Sequence, residues 1–153
     1  MVFKFRLNSL LKHREFLLRE AQGAFGAALS LKMNIESELE RVRRDLDRES
    51  LQFEQEQRAG IGAGRYLYFK ERLSTLEQEL QLTYARLEEA STEVERRRQA
   101  MVQCDTSVKT LESIETRDRE SYRLARVREE QKKLDHAAVQ NAHRLTIEKG
   151  GNP

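Results

Sequence analysis

The residue types that could do chemistry are few in this chain, and their spacing argues against each use. His13, His136 and His143 are scattered. The last two stand seven apart, not at the i,i+4 spacing by which a helix presents two metal ligands. Ser9, Ser30 and Ser121 have no His or Asp context for a nucleophilic triad. Gly60-Ile61-Gly62-Ala63-Gly64 is only superficially a phosphate loop: it lacks the Gly-Lys-Ser/Thr ending and any preceding strand. Cys104 is the single cysteine, so no internal disulfide forms, and no Cys/His metal spacing surrounds it. A pair of helices also offers no deep concave pocket. The expectation is a protein that is not an enzyme and carries no metal and no cofactor.

The glycines matter for geometry instead. Three of the seven lie within five positions, between two long runs without proline. Glycine costs about 1 kcal/mol relative to alanine inside a helix and readily takes φ > 0. The stretch from Ala59 to Gly64 is therefore where a long helix stops and reverses. The spacing predicts a helix over about 4–58, a turn over about 59–64 and a helix over about 65–149, in one domain covering 1–153.

Both arms carry a seven-residue apolar repeat. In the first, Leu18, Ala21, Phe25, Ala28, Lys32, Ile35, Leu39, Val42, Leu46, Glu49 and Phe53 follow steps of four and three. In the second, Leu73, Leu76, Leu80, Thr83, Leu87, Ala90, Val94, Arg97, Met101, Cys104, Val108 and Leu111 do the same. That repeat marks a left-handed coiled coil. Folding the arms back antiparallel about Gly62-Ala63 places Phe53 opposite Leu73, Leu46 opposite Leu80, Leu39 opposite Leu87 and Phe25 opposite Met101. The predicted fold class is all-α: two long helices forming an antiparallel coiled-coil hairpin.

Composition agrees. Charged residues make up 35% and aromatics 7%, there is no Trp, and mean hydropathy is −0.79. Arg, Glu, Gln, Leu and Ala dominate, as in long helices. The net charge of +2 has its signs interleaved, which describes a solvated helix surface. No apolar run approaches the roughly 20 residues of a membrane span, and the N-terminus lacks the apolar core of a signal peptide. A soluble, cytoplasmic protein is expected.

Four local features depart from a plain two-helix seam. Phe3, Phe5, Leu7, Leu10, Leu11, Phe16, Leu17 and Leu18 form a broad apolar stripe, either a surface for more than one helix or a wider core at the open end. Lys32, Glu49 and Arg97 fall on seam positions, where polar residues set register or snorkel into water. Arg65, Tyr66, Leu67, Tyr68 and Phe69 cluster after the turn, as a cap on the seam or as a partner surface. The second arm is longer than the first, and from about Glu120 it has no opposite strand of helix. It nonetheless keeps a stripe at Leu124, Val127, Gln131, Leu134 and Ala138. A lone helix is marginal in water, so this overhang is read as a segment that a partner covers. Gly150-Gly151-Asn152-Pro153 ends it.

Three local stretches identify a resemblance. Phe3-Lys4-Phe5-Arg6-Leu7-Asn8-Ser9-Leu10-Leu11-Lys12-His13-Arg14-Glu15 is similar to the N-terminal signature of the flagellar export protein FliJ family. The turn with its Arg65-Tyr66 sequel is similar to that family's turn. Glu130-Gln131-Lys132-Lys133-Leu134-Asp135-His136-Ala137-Ala138 resembles its C-terminal motif, with His136 where members commonly have Glu. The resemblance covers essentially the whole chain. It implies a component of the cytoplasmic side of the type III export apparatus, built like the stalk of rotary ATP synthases. Implied partners are the hexameric export ATPase FliI, the FliH regulator, the membrane export gate FlhA and export chaperones. It implies no nucleic acid, a monomer in isolation, and membrane proximity only through partners.

By that analogy the joined termini enter the ATPase ring. The expected ATPase-binding residues are Phe3, Phe5, Arg6, Leu7, Leu10, Leu11, Arg14, Arg123, Arg126, Gln131, Lys132, Lys133, Leu134 and Asp135. The hinge half, with Val42, Tyr66, Phe69 and Leu76, is expected to face the gate. Other readings stay open at this point: an injectisome stalk of the same type, a structural coiled coil that dimerises, and a basic helical nucleic-acid binder suggested by Arg96-Arg97-Arg98.

Overall fold

The computed structural model describes residues 2–151 as an all-α chain of two long helices packed against each other. Helix α1 spans Asn8–Ala59 and helix α2 spans Ala63–Gly150. Asn152 and Pro153, expected to stop the second helix, lie outside the described residues, as does Met1. No helix among the described residues is long and apolar enough to cross a membrane. The chain divides into two compact units: a hinge unit, Phe16–Asp105, and a terminal unit of the residues up to Glu15 with those from Thr106 onward.

The hinge unit closes on fewer residues than its glycines suggest. α1 ends at Ala59 with Arg58 in its last turn, where a cation suits the helix dipole. Gly60 takes φ of +95°, and its amide donates to the Gln57 carbonyl at 3.3 Å. The Tyr66 amide already donates to the Gly62 carbonyl at 3.0 Å, so α2 is under way from Ala63. The turn is thus Gly60 to Gly62, shorter than the expected 59–64. Of the three clustered glycines only Gly60 uses a backbone conformation that side chains resist.

The seam follows the repeat. Ala28, Ile35, Leu39, Val42 and Phe53 are buried on α1; Phe69, Leu76, Thr83 and Ala90 are buried on α2. Thr83 is accommodated because its hydroxyl donates to the Glu79 carbonyl at 2.8 Å. Lys32 and Arg97 are half-buried with their charges led outward, Arg97 to Glu93 at 2.7 Å and Lys32 to Glu36 at 3.9 Å. The Phe53 ring meets Phe69 at 5.1 Å and Tyr66 at 5.6 Å between centroids. These partners sit about one helical turn closer to the bend than the expected Leu73. The reason is the layer geometry: in antiparallel coils an a position faces a d position, whereas the expected pairs set a against a. Arg41–Glu79 at 2.9 Å, Glu38–Arg86 at 3.0 Å and Arg43–Tyr84 flank the seam between the helices.

The terminal unit begins without helix. Residues expected to be helical from position 4 instead form a short segment that turns at Arg6 and Leu7. The Asn8 amide donates to the Phe5 carbonyl at 3.2 Å, and the Leu11 amide opens α1 by donating to Leu7 at 2.9 Å. Asn8 and Ser9 are residue types that favour a helix start over its interior. Turning there lets Phe5 become buried, in a unit whose other buried side chains are Leu11, Val108 and Leu111.

Candidate functional site

The terminal unit brings most of the expected ATPase-binding residues together, in two unlike groups. The first is packed. Phe5 and Leu11 are buried, and Leu7 and Phe3 are half-buried. The Phe3 ring lies 5.6 Å from Tyr122 at a 52° tilt and carries the Arg119 guanidinium at 5.0 Å. Arg119 is also held by Glu115 at 3.2 Å, and Arg6 reaches Asp118 at 3.8 Å. Residues 2–7 are therefore fastened to α2 by one apolar and two cationic contacts.

Tyr122, Arg119 and Asp118 were not anticipated from the sequence. Their signal was faint: an aromatic and an Arg three apart, beyond Leu111 where the repeat of the second arm ends, matching the aromatics at Phe3 and Phe5. The paired part of the unit consequently reaches Tyr122, slightly beyond the expected boundary at Glu120.

The second group is open. From Arg123 to Gly150 every residue of α2 is exposed. Leu124 is 42% exposed, Val127 51% and Leu134 66%. The polar residues beside this stripe make contacts within their own helix. Arg123 is bidentate on Glu120 at 2.7 and 3.0 Å, which holds that carboxyl below its ordinary value. Arg126 reaches Glu130 at 3.7 Å, and Gln131 donates to Asp135 at 2.9 Å. Such exposed pairs are weak and screened by water, and they stiffen a helix slightly without tying up its apolar face. Lys132 and Lys133 stand exposed beside Leu134, and Arg14 and Leu10 are exposed on α1. The arrangement is an exposed helical surface, apolar along one stripe and bordered by charges of both signs.

The four residues assigned to the gate fare differently. Val42 and Phe69 are fully buried and Leu76 is 1% exposed, so their side chains are committed to the seam. Seam positions of this kind cannot offer side chains to a partner while the hinge unit is folded. Tyr66 alone of the four has a free edge, beside the exposed Leu67 and Tyr68. Arg65 ties this end together: it is bidentate on Glu56 at 2.9 and 3.0 Å and lies 4.8 Å over Phe69 and 5.1 Å over Tyr68. The aromatic cluster is thus partly a cap and partly an exposed patch.

The Arg96-Arg97-Arg98 run, which suggested nucleic acid, is occupied locally. Glu93 binds both Arg96 and Arg97 and Glu95 binds Arg98, all at 2.7 to 2.9 Å. The hydrogen bonds from Arg96 and Arg97 hold the Glu93 carboxyl down at about 2. Among the described residues no group of His, Cys, Asp and Glu is placed to hold a metal ion.

A family model described as flagellar FliJ protein matches residues 3–145 of the chain. No curated protein and no solved structure matches it.

Proposed function

The chain belongs to the FliJ family, a structural component of the flagellar export apparatus, and from that premise we propose that its terminal unit binds the hexameric export ATPase. The observation that carries this reading is the stretch of α2 from Arg123 to Gly150, helical yet exposed throughout, with its apolar stripe uncovered. A helix without tertiary packing is marginal in water, so a partner that covers the stripe would contribute much of its order. Beside it the segment of residues 2–7 presents Arg6 and the edge of Phe3. Together they form an asymmetric surface that a ring of subunits can touch on several faces. Arg6, Arg14, Arg123, Arg126, Lys132 and Lys133 border it with positive charge, which steers association toward an acidic ring interior.

On this reading the terminal unit stimulates hydrolysis by stabilising the assembled hexamer, with Gln131, Lys132 and Asp135 at the contact. The hinge unit faces the FlhA gate through its exposed patch of Tyr66, Leu67 and Tyr68. Contacts with the FliH regulator and with export chaperones complete the role, which is cytoplasmic and reaches the membrane through partners.

The test is a chain ended after Arg123, which spares the Phe3–Tyr122 and Glu120–Arg123 contacts. It should keep the melting transition of the full chain and lose stimulation of the ATPase and of its hexamer assembly. Equal stimulation by the shortened, folded chain overturns the proposal. Tyr66→Ala should leave ATPase stimulation unchanged and weaken capture by the gate's cytoplasmic domain.

A further inference from the structure

The exposed stripe of α2 continues the seven-residue spacing as Leu124, Val127, Gln131, Leu134, Ala138, Asn141 and Leu145. That is a coiled-coil seam awaiting a second helix. Which helix fits is constrained by the residues flanking the seam, because these set partner and orientation in coiled coils. We propose that the same segment of a second copy of this chain covers it, antiparallel, about a two-fold axis near His136.

Charge selects the direction. Side by side and parallel, two copies set Arg123 against Arg128, Glu130 against Asp135 and Arg144 against Lys149, each of them twice. All three are like-charged pairs, which specific interfaces avoid. Antiparallel, with Leu134 facing Ala138 of the other copy, Glu130 falls beside Arg144 of the other copy, twice by symmetry. One like pair remains, Asp135 with its own counterpart at the axis, where Lys132 stands one turn away on the same helix.

The layers select the register. In this alignment Val127 faces Leu145 and Leu134 faces Ala138, so apolar meets apolar in the inner layers, while Leu124 faces Glu148 at the outer end, where the carboxylate reaches water. Gln131 faces Asn141, two amides that each offer a donor and an acceptor. A shift of one heptad toward the N-terminus sets Gln131 against Leu134, twice by symmetry, leaving buried amides opposite hydrocarbon at the centre of the pairing. The chosen register also has a precedent in the hinge unit. The Phe53–Phe69 layer and the flanking Glu38–Arg86 ion pair at 3.0 Å are offset from one another as the Val127–Leu145 layer and the Glu130–Arg144 pair would be.

Glu130 is 3.7 Å from Arg126 in its own helix, a long and exposed pair that it can exchange for Arg144 of the other copy. Gln131, which donates to Asp135, would likewise turn to Asn141. The pairing does not rest on the ATPase reading, but both use one stripe and so exclude each other. The self-paired form is then one in which the terminal unit is closed to a ring.

Sedimentation of the full chain from micromolar concentrations to about 1 mM tests this. A monomer–dimer equilibrium is expected, shifted at least tenfold toward monomer by Leu134→Glu and by Glu130→Arg. Adding Arg144→Glu to Glu130→Arg should restore pairing. A monomer at every concentration overturns the proposal, as does a dimer indifferent to Leu134→Glu. For register, Gln131→Cys and Asn141→Cys variants, each with Cys104→Ser, are mixed and oxidised. The mixed disulfide should outweigh the two like-with-like products severalfold; a purely statistical yield, or like-with-like excess, means the antiparallel register is wrong.

Discussion

At the scale of single residues, two kinds of position do most to define the molecule: fully buried seam side chains and carboxylates held by guanidinium groups. Val42 and Phe69 have no exposed surface, and burying side chains of this kind stabilises by roughly 1.5–3 kcal/mol each. Phe69→Ala also leaves a cavity against Phe53, so a loss of about 3–5 kcal/mol is expected in denaturant unfolding. Leu67→Ala, at a 61% exposed neighbour, should stay within about 0.5 kcal/mol. Equal losses at the two sites would mean that the seam is assigned to the wrong face. Glu93 gives a pH prediction. Its carboxyl lies at about 2, below the ordinary 4.5, because Arg96 and Arg97 hydrogen-bond the charged form. Its contribution to helix stability is present above 4.5 and fades as pH falls from there through about 2. A side-chain titration followed by NMR should show that midpoint. Replacing Arg96 and Arg97 together by Ala should bring it back toward 4.5, and an unmoved midpoint would exclude these partners as its cause.

At the scale of elements, the turn and the N-terminal segment were each decided by a few backbone groups. Three glycines mark the bend in the sequence, but only Gly60, at φ of +95°, needs to be one. Gly60→Ala should cost about 1–2 kcal/mol, because L side chains resist the left-handed region. Gly64 lies inside α2 with open space where a Cβ would stand. Gly64→Ala should therefore stabilise, by about 0.5–1 kcal/mol. Melting curves of the two variants should move in opposite directions; a shared direction would show that the bend is distributed over the whole cluster. Residues 2–7 are held to α2 through Phe3 and Arg6 rather than through helical hydrogen bonds. Phe3→Ala should accordingly loosen this segment, seen as faster amide exchange around Asn8, while leaving the exchange of the hinge unit unchanged.

At the scale of the whole molecule, the two units divide the work between a committed seam and an uncommitted surface. In the hinge unit the apolar repeat is spent on intramolecular packing, which is why Val42, Phe69 and Leu76 have nothing left for a partner. In the terminal unit α2 runs on past Tyr122 with its stripe exposed. Amide exchange should reflect the contrast: slow along the seam around Leu39 and Leu76, fast from Leu124 to Lys149, and slowed there when a partner covers the stripe. Uniform protection along α2 in the free chain would contradict the exposed stripe.

The sequence by itself determined a good deal. A period of seven maintained through both arms requires two helices with one apolar face each, and the glycine cluster requires a reversal between them. The seam residues, the seam positions of Lys32 and Arg97, and the overhanging stripe were all legible from spacing, because each depends on residues a turn or two apart; that the two cations lead their charges outward was one of two readings left open. The family was legible from three short stretches. What spacing left undetermined was whatever joins residues remote along the chain. A heptad repeat is unchanged by sliding one arm past the other, so the Phe53–Phe69 layer was fixed only when a positions met d positions across the seam. Nor does a repeat say which glycine turns, since three can adopt the needed φ and one suffices. The fastening of Phe3 to Tyr122 and Arg119 was settled in the same way. It joins one end of the chain to a residue far along the second helix, and only the folded arrangement supplies the ring and the cation that make leaving the helix at Asn8 favourable.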